Sequence, residues 1–330
     1  MTHALVFGKF LPLHRGHLAL IDFARRHCDH LTVLVCASDL EQLPGSVRAG
    51  WLRETYAAHP EVHVQVLDYR ENELPNTSVS SEAVAHAWAE RFRQELPTVN
   101  LVVTSEPYGE MVAARLGIRF LNFDPARVQV PVSATAIRAD LQAHWQYLPG
   151  SVQVYYRRTV AILGTESTGK TTLTQQLAAY FGASYVAEAG RDLVAHSTEI
   201  SRADLLAVAS EHARRIAAAQ ATGGPLLLLD TDVHITQSYT GLLGEDYLEL
   251  PAELYAINRA DLYLYLQADV PLVDDGTRLS QTERLRLDAL HRQTLTHFGI
   301  QYHEIGGVWP ERFAQAVQLI ELLLKQAATA

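Results

Sequence analysis

The chain has 330 residues, 48% hydrophobic and 19% charged, a length and composition that suit a globular protein of about two domains. Its formal charge of −10 argues against a broad basic surface for nucleic acid, so no nucleic-acid partner is expected. Apolar runs such as 226–229 are far shorter than a membrane span, and no leader precedes the first predicted strand, so we expect a cytoplasmic enzyme with no membrane partner.

In the N-terminal half, short β-rich runs alternate with amphipathic helical patterns. Strands are predicted at residues 4–7, 31–36, 62–67, 101–104 and 119–123. Helices are predicted near 17–26, 47–58, 81–95 and 110–116, with another after Ser133. This alternation predicts an α/β fold with a doubly wound parallel sheet, in which ligands bind at the carboxyl ends of the strands.

The first predicted strand ends in a loop that carries two histidines. The loop reads Gly8-Lys9-Phe10-Leu11-Pro12-Leu13-His14-Arg15-Gly16-His17. His14 and His17 flank Gly16 where a helix begins, and imidazoles beside helix N–H groups suit the phosphates of a nucleotide. Alone, these could be two ordinary surface histidines in a chain that has 15. Their position at the first strand–helix junction favours a binding site.

The second half opens on a phosphate-binding loop. Residues 164–171 fit the pattern G-x-x-x-x-G-K-[ST] between an apolar run at 159–163 and a helical pattern at 172–178. Lys170 is expected to act on the β- and γ-phosphates, and the Thr171 hydroxyl to hold Mg²⁺. The further predicted ATP-binding residues of this loop are Gly164, Glu166, Ser167, Thr168, Gly169 and Thr172. Two domains are therefore predicted, at 1–150 and 151–330, the second a P-loop domain that also has a parallel sheet.

Three further segments of the second half carry charged residues that are candidates for the kinase site. A buried strand at 226–229 runs into Asp230 and Asp232, where phosphate-loop kinases hold an acid for Mg²⁺ or for the hydroxyl proton. Glu188 and Arg191 form a second predicted substrate-facing corner. The segment 273–286 contains three arginines and resembles a lid that closes on phosphates, with Arg278 and Arg284 the best candidates to neutralise the transferred group.

The first loop resembles the signature of nucleotidylyltransferases, in the form found in nicotinamide-mononucleotide adenylyltransferases. A second segment, Ser133-Ala134-Thr135-Ala136-Ile137-Arg138, is similar to the Ser-x-Thr-x-x-Arg segment of that family. Together with the phosphate-binding loop, the whole chain resembles the NadR-type bifunctional family, which joins this transferase to a ribosylnicotinamide kinase. Some relatives also carry an N-terminal helix-turn-helix domain. No residues precede the first strand here, so that domain and its DNA-binding role are not expected.

For the N-terminal half, the resemblance implies that the phosphate of nicotinamide mononucleotide (NMN) attacks the α-phosphate of ATP to give NAD. Lys9, His14, His17 and Arg138 are the implied catalytic residues. The implied ATP-binding residues are Gly8, Phe10, Gly16, Ser133 and Thr135. Trp88 and Asn76 are candidates for the nicotinamide group, although Trp88 could equally pack between helix and sheet. Arg48 is a candidate for the substrate phosphate, with a surface salt bridge as the alternative.

For the C-terminal half, the resemblance implies phosphorylation of nicotinamide riboside by ATP with Mg²⁺. Lys170, Arg278 and Arg284 are the implied catalytic cations, and either Asp230 or Glu188 is the base. Asp230 is also a predicted metal ligand together with Thr171. Asp232 is expected on the ribose hydroxyls, and Arg191 on the substrate.

Three other interpretations remain open at this stage. The chain could be another transferase–kinase fusion, such as phosphopantetheine adenylyltransferase with dephospho-CoA kinase, although such chains usually open on a Thr-Phe-Asp version of the first motif. It could be a regulator that senses ATP and NAD without turnover, or an enzyme in which one half alone is active. Homo-oligomerisation, the preference for amidated substrate and feedback by NAD are undetermined.

Overall fold

The computed structural model describes residues 1–75, 81–194, 200–269 and 280–329. The chain divides into two compact units, Met1–Tyr155 and Tyr156–Ala328. Among the described residues, no helix has the combination of length and apolar character needed to cross a bilayer.

The N-terminal unit is a parallel sheet with helices between its strands. Its strands are β1 (His3–Gly8), β2 (His30–Ser38), β3 (Val62–Tyr69), β4 (Leu101–Thr104) and β5 (Arg119–Asn122). The helices are α1 (Arg15–Arg25), α2 (Gly45–Thr55), α3 (Glu82–Glu95), α4 (Pro107–Leu116), α5 (Ala134–Ala139) and α6 (Gly150–Tyr156), with a 3₁₀ turn at Trp145–Tyr147. Every observed strand agrees with its predicted position to within two residues at each end.

The strand order explains where this unit can bind a ligand. The sheet runs β3-β2-β1-β4-β5, all parallel, with His3 opposite His30 and Ala4 opposite Leu101. β1 therefore lies at the point where the chain reverses its direction of winding, and the loop after it opens into a crevice between neighbouring connections. The four residues of β4 are all buried, which is why this strand reads as a continuous apolar run.

The C-terminal unit repeats this plan with different connections. Its strands are β6 (Arg158–Gly164), β7 (Ser184–Val186), β8 (Leu226–Asp230), β9 (Leu262–Leu266) and β10 (His303–Ile305). The helices are α7 (Lys170–Phe181), α8 (Gly190–Leu193), α9 (Arg202–Thr222), α10 (Val233–Ser238), α11 (Thr240–Leu243), α12 (Ala252–Asn258), α13 (Gln281–His297) and α14 (Trp309–Thr329). The sheet order is β10-β9-β6-β8-β7, again parallel. These two sheets confirm the predicted parallel α/β architecture.

Two apolar layers hold the second sheet in place. One face packs on α7 and α14 through residues such as Leu173, Leu177 and Ile320, and the other packs on α9 and α13 through residues such as Ile216 and Leu295. The central strand β6 is buried from Thr159 to Gly164. The phosphate-binding loop therefore leaves a strand that is fixed on both edges and both faces.

Candidate nucleotide sites

A cavity of about 650 Å³ opens where β1 ends in the N-terminal unit. Among the predicted residues, those that line it are Gly8, Lys9, Phe10, His14, Gly16, His17, Ser133, Thr135 and Arg138. The structure thus brings the loop after β1 together with the start of α5, segments that lie more than a hundred residues apart in the chain.

The two histidines of the loop form a stacked pair. Their ring centroids are 3.7 Å apart, and the His14 Nδ1 atom accepts a hydrogen bond from the backbone N–H of Gly16 at 3.1 Å. A side chain at position 16 would place its Cβ 3.0 Å from the His14 ring, so glycine permits the close stack. His14 is thereby the N-cap of α1, which points the first free N–H groups of this helix into the same region.

Burial keeps both imidazoles neutral. It lowers the pKa of His14 to about 4, with a smaller contribution from the nearby Arg127 charge. It also lowers the pKa of His17 far below its ordinary value, and His14 and Arg127 add to the effect. His17 Nδ1 has no hydrogen-bond partner within the described residues. A group that carries negative charge would reverse this penalty, which is the chemistry expected of a phosphate site.

The helix α5 brings a second set of polar groups to this cavity. Ser133 caps the helix through a hydrogen bond from the Ala136 N–H to its Oγ at 3.1 Å. Arg138 donates to the backbone carbonyl of Leu11, and its other nitrogen lies 3.4 Å from Thr135 Oγ1. Arg138 therefore ties α5 to the histidine loop.

Arg48 occupies a different place from the one predicted. Its side chain is fully buried, does not line the cavity, and donates to the Lys9 carbonyl at 2.6 Å. It also pairs with Glu41 at 2.7 Å, and Glu41 in turn pairs with Lys9 Nζ at 2.8 Å. Neither a phosphate contact nor a surface salt bridge fits this geometry. The arginine supports the Lys9 loop from below because a buried guanidinium needs acceptors, and the loop backbone supplies them.

Trp88 is also a correction to the sequence prediction. Its ring is fully buried between α3 and the sheet, 5.0 Å from the Tyr69 ring, and its Nε1–H donates to the Pro75 carbonyl at 2.8 Å. It therefore belongs to the core and offers no free face for stacking. The other nicotinamide candidate, Asn76, lies outside the described residues.

Four charged residues that line this cavity were not among the predicted site residues: Glu41, Glu106, Asp124 and Arg127. Arg127 pairs with Glu106 at 2.8 Å and has a positive φ of 52°, which is uncommon for a residue other than glycine. The pair Asp124-Pro125 shortly before Arg127 is a weak sign of this turn, because Asp before Pro favours a turn.

In the C-terminal unit, a cavity of about 580 Å³ lies over the phosphate-binding loop. Among the predicted residues, those that line it are Glu166, Ser167, Thr168, Gly169, Lys170, Thr171, Thr172, Glu188 and Arg191. Gly164 lies at the end of β6 instead, with φ at 138°, where an added Cβ would come 2.7 Å from the Leu266 carbonyl.

Internal contacts shape this loop. The Lys170 ammonium donates to the Thr165 carbonyl at 3.1 Å, and the Thr168 hydroxyl donates to the same carbonyl at 2.8 Å. Gly169 has φ at 89° and lies against the Trp309 ring, 2.8 Å from where a Cβ would stand. The loop is thus folded back on itself and runs directly into the N-terminus of α7. A loop of this kind, with its N–H groups at a helix N-terminus, is the arrangement that binds phosphate.

Arg284 supports this loop and does not line the cavity. Its side chain is fully buried, and Nε donates to the backbone carbonyl of Glu166 at 3.0 Å. The predicted role, neutralising a moving phosphoryl group, requires an open guanidinium and is not consistent with this position. Arg278 lies outside the described residues.

The carboxylates of this site differ in their surroundings. Asp230 is buried, accepts from the Thr171 hydroxyl, and has its pKa raised chiefly by burial, against the opposing effect of Lys170. Its Oδ1 atom has no hydrogen-bond partner among the described residues. Glu188 lines the cavity and pairs with Arg191 at 3.2 Å.

Asp232 is a helix cap and not a substrate contact. It is fully buried, accepts from the backbone N–H groups of His234 and Ile235 at 3.0 and 3.1 Å, and lies 2.6 Å from His234 Nδ1. Both carboxylate oxygens are thus occupied, and ribose hydroxyls cannot reach them. An Asp followed by a short helical pattern is a cap signal that the sequence already contained.

The lining of the kinase cavity also includes Thr231, His212 and Tyr239, which the sequence analysis did not select. Thr231 has φ at 75°, a strained value for a β-branched residue, and its carbonyl accepts from His212 Nε2 at 3.2 Å. The histidine carried no readable signal, because it lies on the apolar face of α9 among core residues.

Comparison with known proteins matches each unit separately. Residues 5–140 match the cytidylyltransferase-like family, and residues 159–312 match the AAA domain family. The trifunctional NAD biosynthesis/regulator protein NadR of Escherichia coli (strain K12) is 29% identical over 98% of this chain and 83% of its own length. A nicotinamide-nucleotide adenylyltransferase of Ignicoccus hospitalis is 28% identical over 41% of this chain and 77% of its own length.

Solved structures support the same architecture. A crystal structure of a NadR protein in complex with NAD and AMP-PNP aligns over 97% of this chain and 95% of that one, with a TM-score of 0.58 and 22% identity. Another, in complex with NR, aligns over the same shares with a TM-score of 0.57. The order of the two matched families, and the relatives aligned along nearly the whole chain, make this chain similar to NadR-type proteins, with a nucleotidylyltransferase-like domain followed by a P-loop domain.

Proposed function

We propose that the chain is a bifunctional enzyme of NAD salvage, which phosphorylates nicotinamide riboside with ATP and adenylylates the resulting NMN to NAD. The observation that carries the proposal is that each unit has its own cavity of nucleotide size at the end of its own central strand. We assign adenylyl transfer to the N-terminal unit and riboside phosphorylation to the C-terminal unit. A functional boundary near residue 150 stays a prediction.

In adenylyl transfer, a phosphate oxygen of NMN forms a bond to the α-phosphorus of ATP, and the bond from that phosphorus to the pyrophosphate oxygen breaks. The attacking group is already an anion, so the reaction needs no protein nucleophile. Alignment and neutralisation of charge on the leaving pyrophosphate supply the catalysis. His14, His17 and Arg138 surround one cavity and suit this role. Lys9 lines the same cavity but pairs with Glu41, so its charge is shared.

In riboside phosphorylation, the 5′-hydroxyl oxygen forms a bond to the γ-phosphorus of ATP, and the bond to the ADP oxygen breaks. The hydroxyl proton must pass to a base. We infer that Glu188 is this base, because it lines the cavity, whereas Asp230 lies outside the lining and accepts from Thr171. Lys170 and the loop N–H groups would hold the phosphates.

Mg²⁺ fits beside Thr171. Asp230 Oδ1 lacks a hydrogen-bond partner among the described residues, and carboxylate and hydroxyl oxygens are the ligands this hard cation prefers. The described residues contain no group of three or more His, Cys, Asp or Glu side chains placed to bind a metal, so nucleotide phosphates would have to complete the coordination. When bound, the ion would supply charge stabilisation on the transferred phosphoryl group.

The primary test supplies nicotinamide riboside with Mg-ATP, and separately NMN with Mg-ATP, and follows NMN and NAD by chromatography. We expect NMN and then NAD from the riboside, and NAD from NMN. Phosphopantetheine and dephospho-CoA serve as control substrates. Turnover of either control in place of the pyridine nucleotides would refute the assignment.

The roles of the two carboxylates are separable by substitution. Glu188→Gln should lower kcat for riboside phosphorylation by roughly 10²–10⁴-fold, the usual contribution of a general base, without changing the Mg²⁺ concentration that gives half-maximal rate. Asp230→Asn should instead raise that Mg²⁺ concentration. The reverse pattern would assign the base to Asp230.

A further inference from the structure

Arg312, at the start of α14, lies fully buried beneath the phosphate-binding loop. Its guanidinium donates to three backbone carbonyls, those of Gly307 at 2.8 Å, Thr168 at 3.2 Å and Gln267 at 3.2 Å, and also pairs with Asp269. One side chain thus connects the phosphate-binding loop, the end of β9 and the turn before α14. No sequence motif selected this residue.

The contact with Thr168 acts on the part of the loop that handles phosphate. A loop that binds an anion turns its N–H groups inward, so its carbonyls need partners elsewhere. Lys170 and the Thr168 hydroxyl donate to the Thr165 carbonyl, Arg284 donates to that of Glu166, and Arg312 donates to that of Thr168. Arg312 also reaches across to the residue that follows β9, through the Gln267 carbonyl.

Asp269 fixes the direction of the guanidinium. One of its oxygens pairs with Arg312 and the other accepts from the Gly307 N–H at 2.8 Å. Burial of an arginine is costly unless its charge is paired and its donors are used, and here both conditions are met. Lysine cannot reproduce this arrangement, because its ammonium is a single point and cannot reach several carbonyls in different directions.

We propose that Arg312 is a positioning residue for ATP in the kinase unit, acting through the Thr168 carbonyl to hold the loop N–H groups toward the phosphates. The inference rests on the proposed kinase function. It predicts a selective effect: loosening the loop weakens ATP binding more than it weakens binding of the riboside or the chemical step.

The test compares Arg312→Lys with Arg157→Lys. Arg157 is a matched control, because it is also buried and its guanidinium donates to the carbonyls of Gly223 and Gly224, both at 3.1 Å and away from the phosphate-binding loop. In Arg312→Lys, the KM for ATP should rise roughly tenfold, while the KM for riboside and kcat change less than about threefold. In Arg157→Lys, the KM for ATP should stay at the wild-type value.

A second variant covers the case in which Arg312→Lys fails to fold. Asp269→Asn alters a partly exposed side chain and should raise the KM for ATP in the same direction by a smaller factor. An unchanged KM for ATP in the folded variants, or an equal rise in Arg157→Lys, would overturn the proposal. A fall in kcat alone would also overturn it, since that indicates a smaller fraction of folded enzyme.

A readout independent of turnover separates this inference from the proposed function. Mg-ATP should protect amides of residues 164–171 from hydrogen exchange in the wild-type chain, and this protection should need a higher ATP concentration in Arg312→Lys. If the wild-type chain phosphorylates no riboside but Arg312→Lys still needs more ATP for protection, the proposed function is refuted and the positioning role of Arg312 is retained. Equal protection in both chains would refute the positioning role.

Discussion

The two nucleotide cavities are built from different parts of the polypeptide. In the N-terminal unit, side chains face the cavity: a stacked and neutral histidine pair, a lysine held by Glu41 and an arginine from α5. In the C-terminal unit, the phosphates are expected to bind mainly to the backbone N–H groups of one loop together with Lys170, and buried side chains hold the carbonyls of that loop. The first design tunes charge through burial, whereas the second fixes the direction of N–H groups. The two sites should therefore respond differently to substitution.

The largest expected effect is a loss of kinase activity that leaves the N-terminal site intact. Lys170→Ala should lower riboside phosphorylation to about a thousandth or less, because the charge that acts on the β- and γ-phosphates is lost. NAD formation from supplied NMN should continue at the wild-type rate. Both are measured by chromatography on one preparation. Loss of both activities in a folded protein would mean that the two sites are not independent.

The corresponding substitution at the N-terminal site is His17→Ala. His17→Ala should lower adenylylation of NMN by roughly 10²–10³-fold, the usual cost of removing one donor to developing charge. Riboside phosphorylation should be unaffected. His17→Asn, which keeps a donor of smaller reach, should recover part of the rate. If His17→Ala adenylylated NMN normally, the stacked pair would have no part in the reaction.

Acid should destabilise the N-terminal unit through its buried histidine pair. The pKa of His14 is about 4 in the folded chain against 6.5 when unfolded, so the unfolded state binds more protons between these values. Stability is complete above pH 6.5 and falls toward pH 4, by roughly 3 kcal/mol for this residue. His14→Gln should flatten the fall when denaturation of the N-terminal unit is followed by hydrogen exchange. An unchanged slope would show that folding does not lower the pKa of His14.

The smallest expected effect tests whether Trp88 belongs to the core or to the NMN site. Trp88→Phe should destabilise the N-terminal unit by about 1–3 kcal/mol, because the Pro75 carbonyl loses its donor in a buried place. The KM for NMN should remain within about twofold of wild type. Thermal unfolding and steady-state kinetics measure the two quantities. A large rise in that KM with little loss of stability would restore Trp88 as a stacking partner.

Features that depend on a few consecutive residues could be predicted from the sequence. Strands buried on both faces read as continuous apolar runs, so β4 was placed at its observed bounds. The phosphate-binding loop is defined by eight consecutive residues, and its position was equally clear. The helices α9 and α14 contain no chemical motif and were not predicted.

Side-chain roles were harder, because they depend on distant partners. Arg48 meets the Lys9 carbonyl 39 residues away, and Arg312 meets Thr168 across 144. Nothing near these arginines in the sequence indicates a buried place, and arginines are usually exposed. Asp232 is the opposite case: its helix-cap signal was local, but its place two residues after Asp230 suggested a contact with the ribose hydroxyls.

The contact between Trp309 and Gly169 gives the molecule a natural optical reporter. The chain has four tryptophans, and Trp309 is the one that lies beyond residue 155. Its indole touches the backbone of the kinase loop, whereas Trp51, Trp88 and Trp145 are buried in the other unit. With those three replaced by phenylalanine, the tryptophan emission spectrum would report nucleotide binding at the kinase cavity and would not respond to binding at the N-terminal cavity.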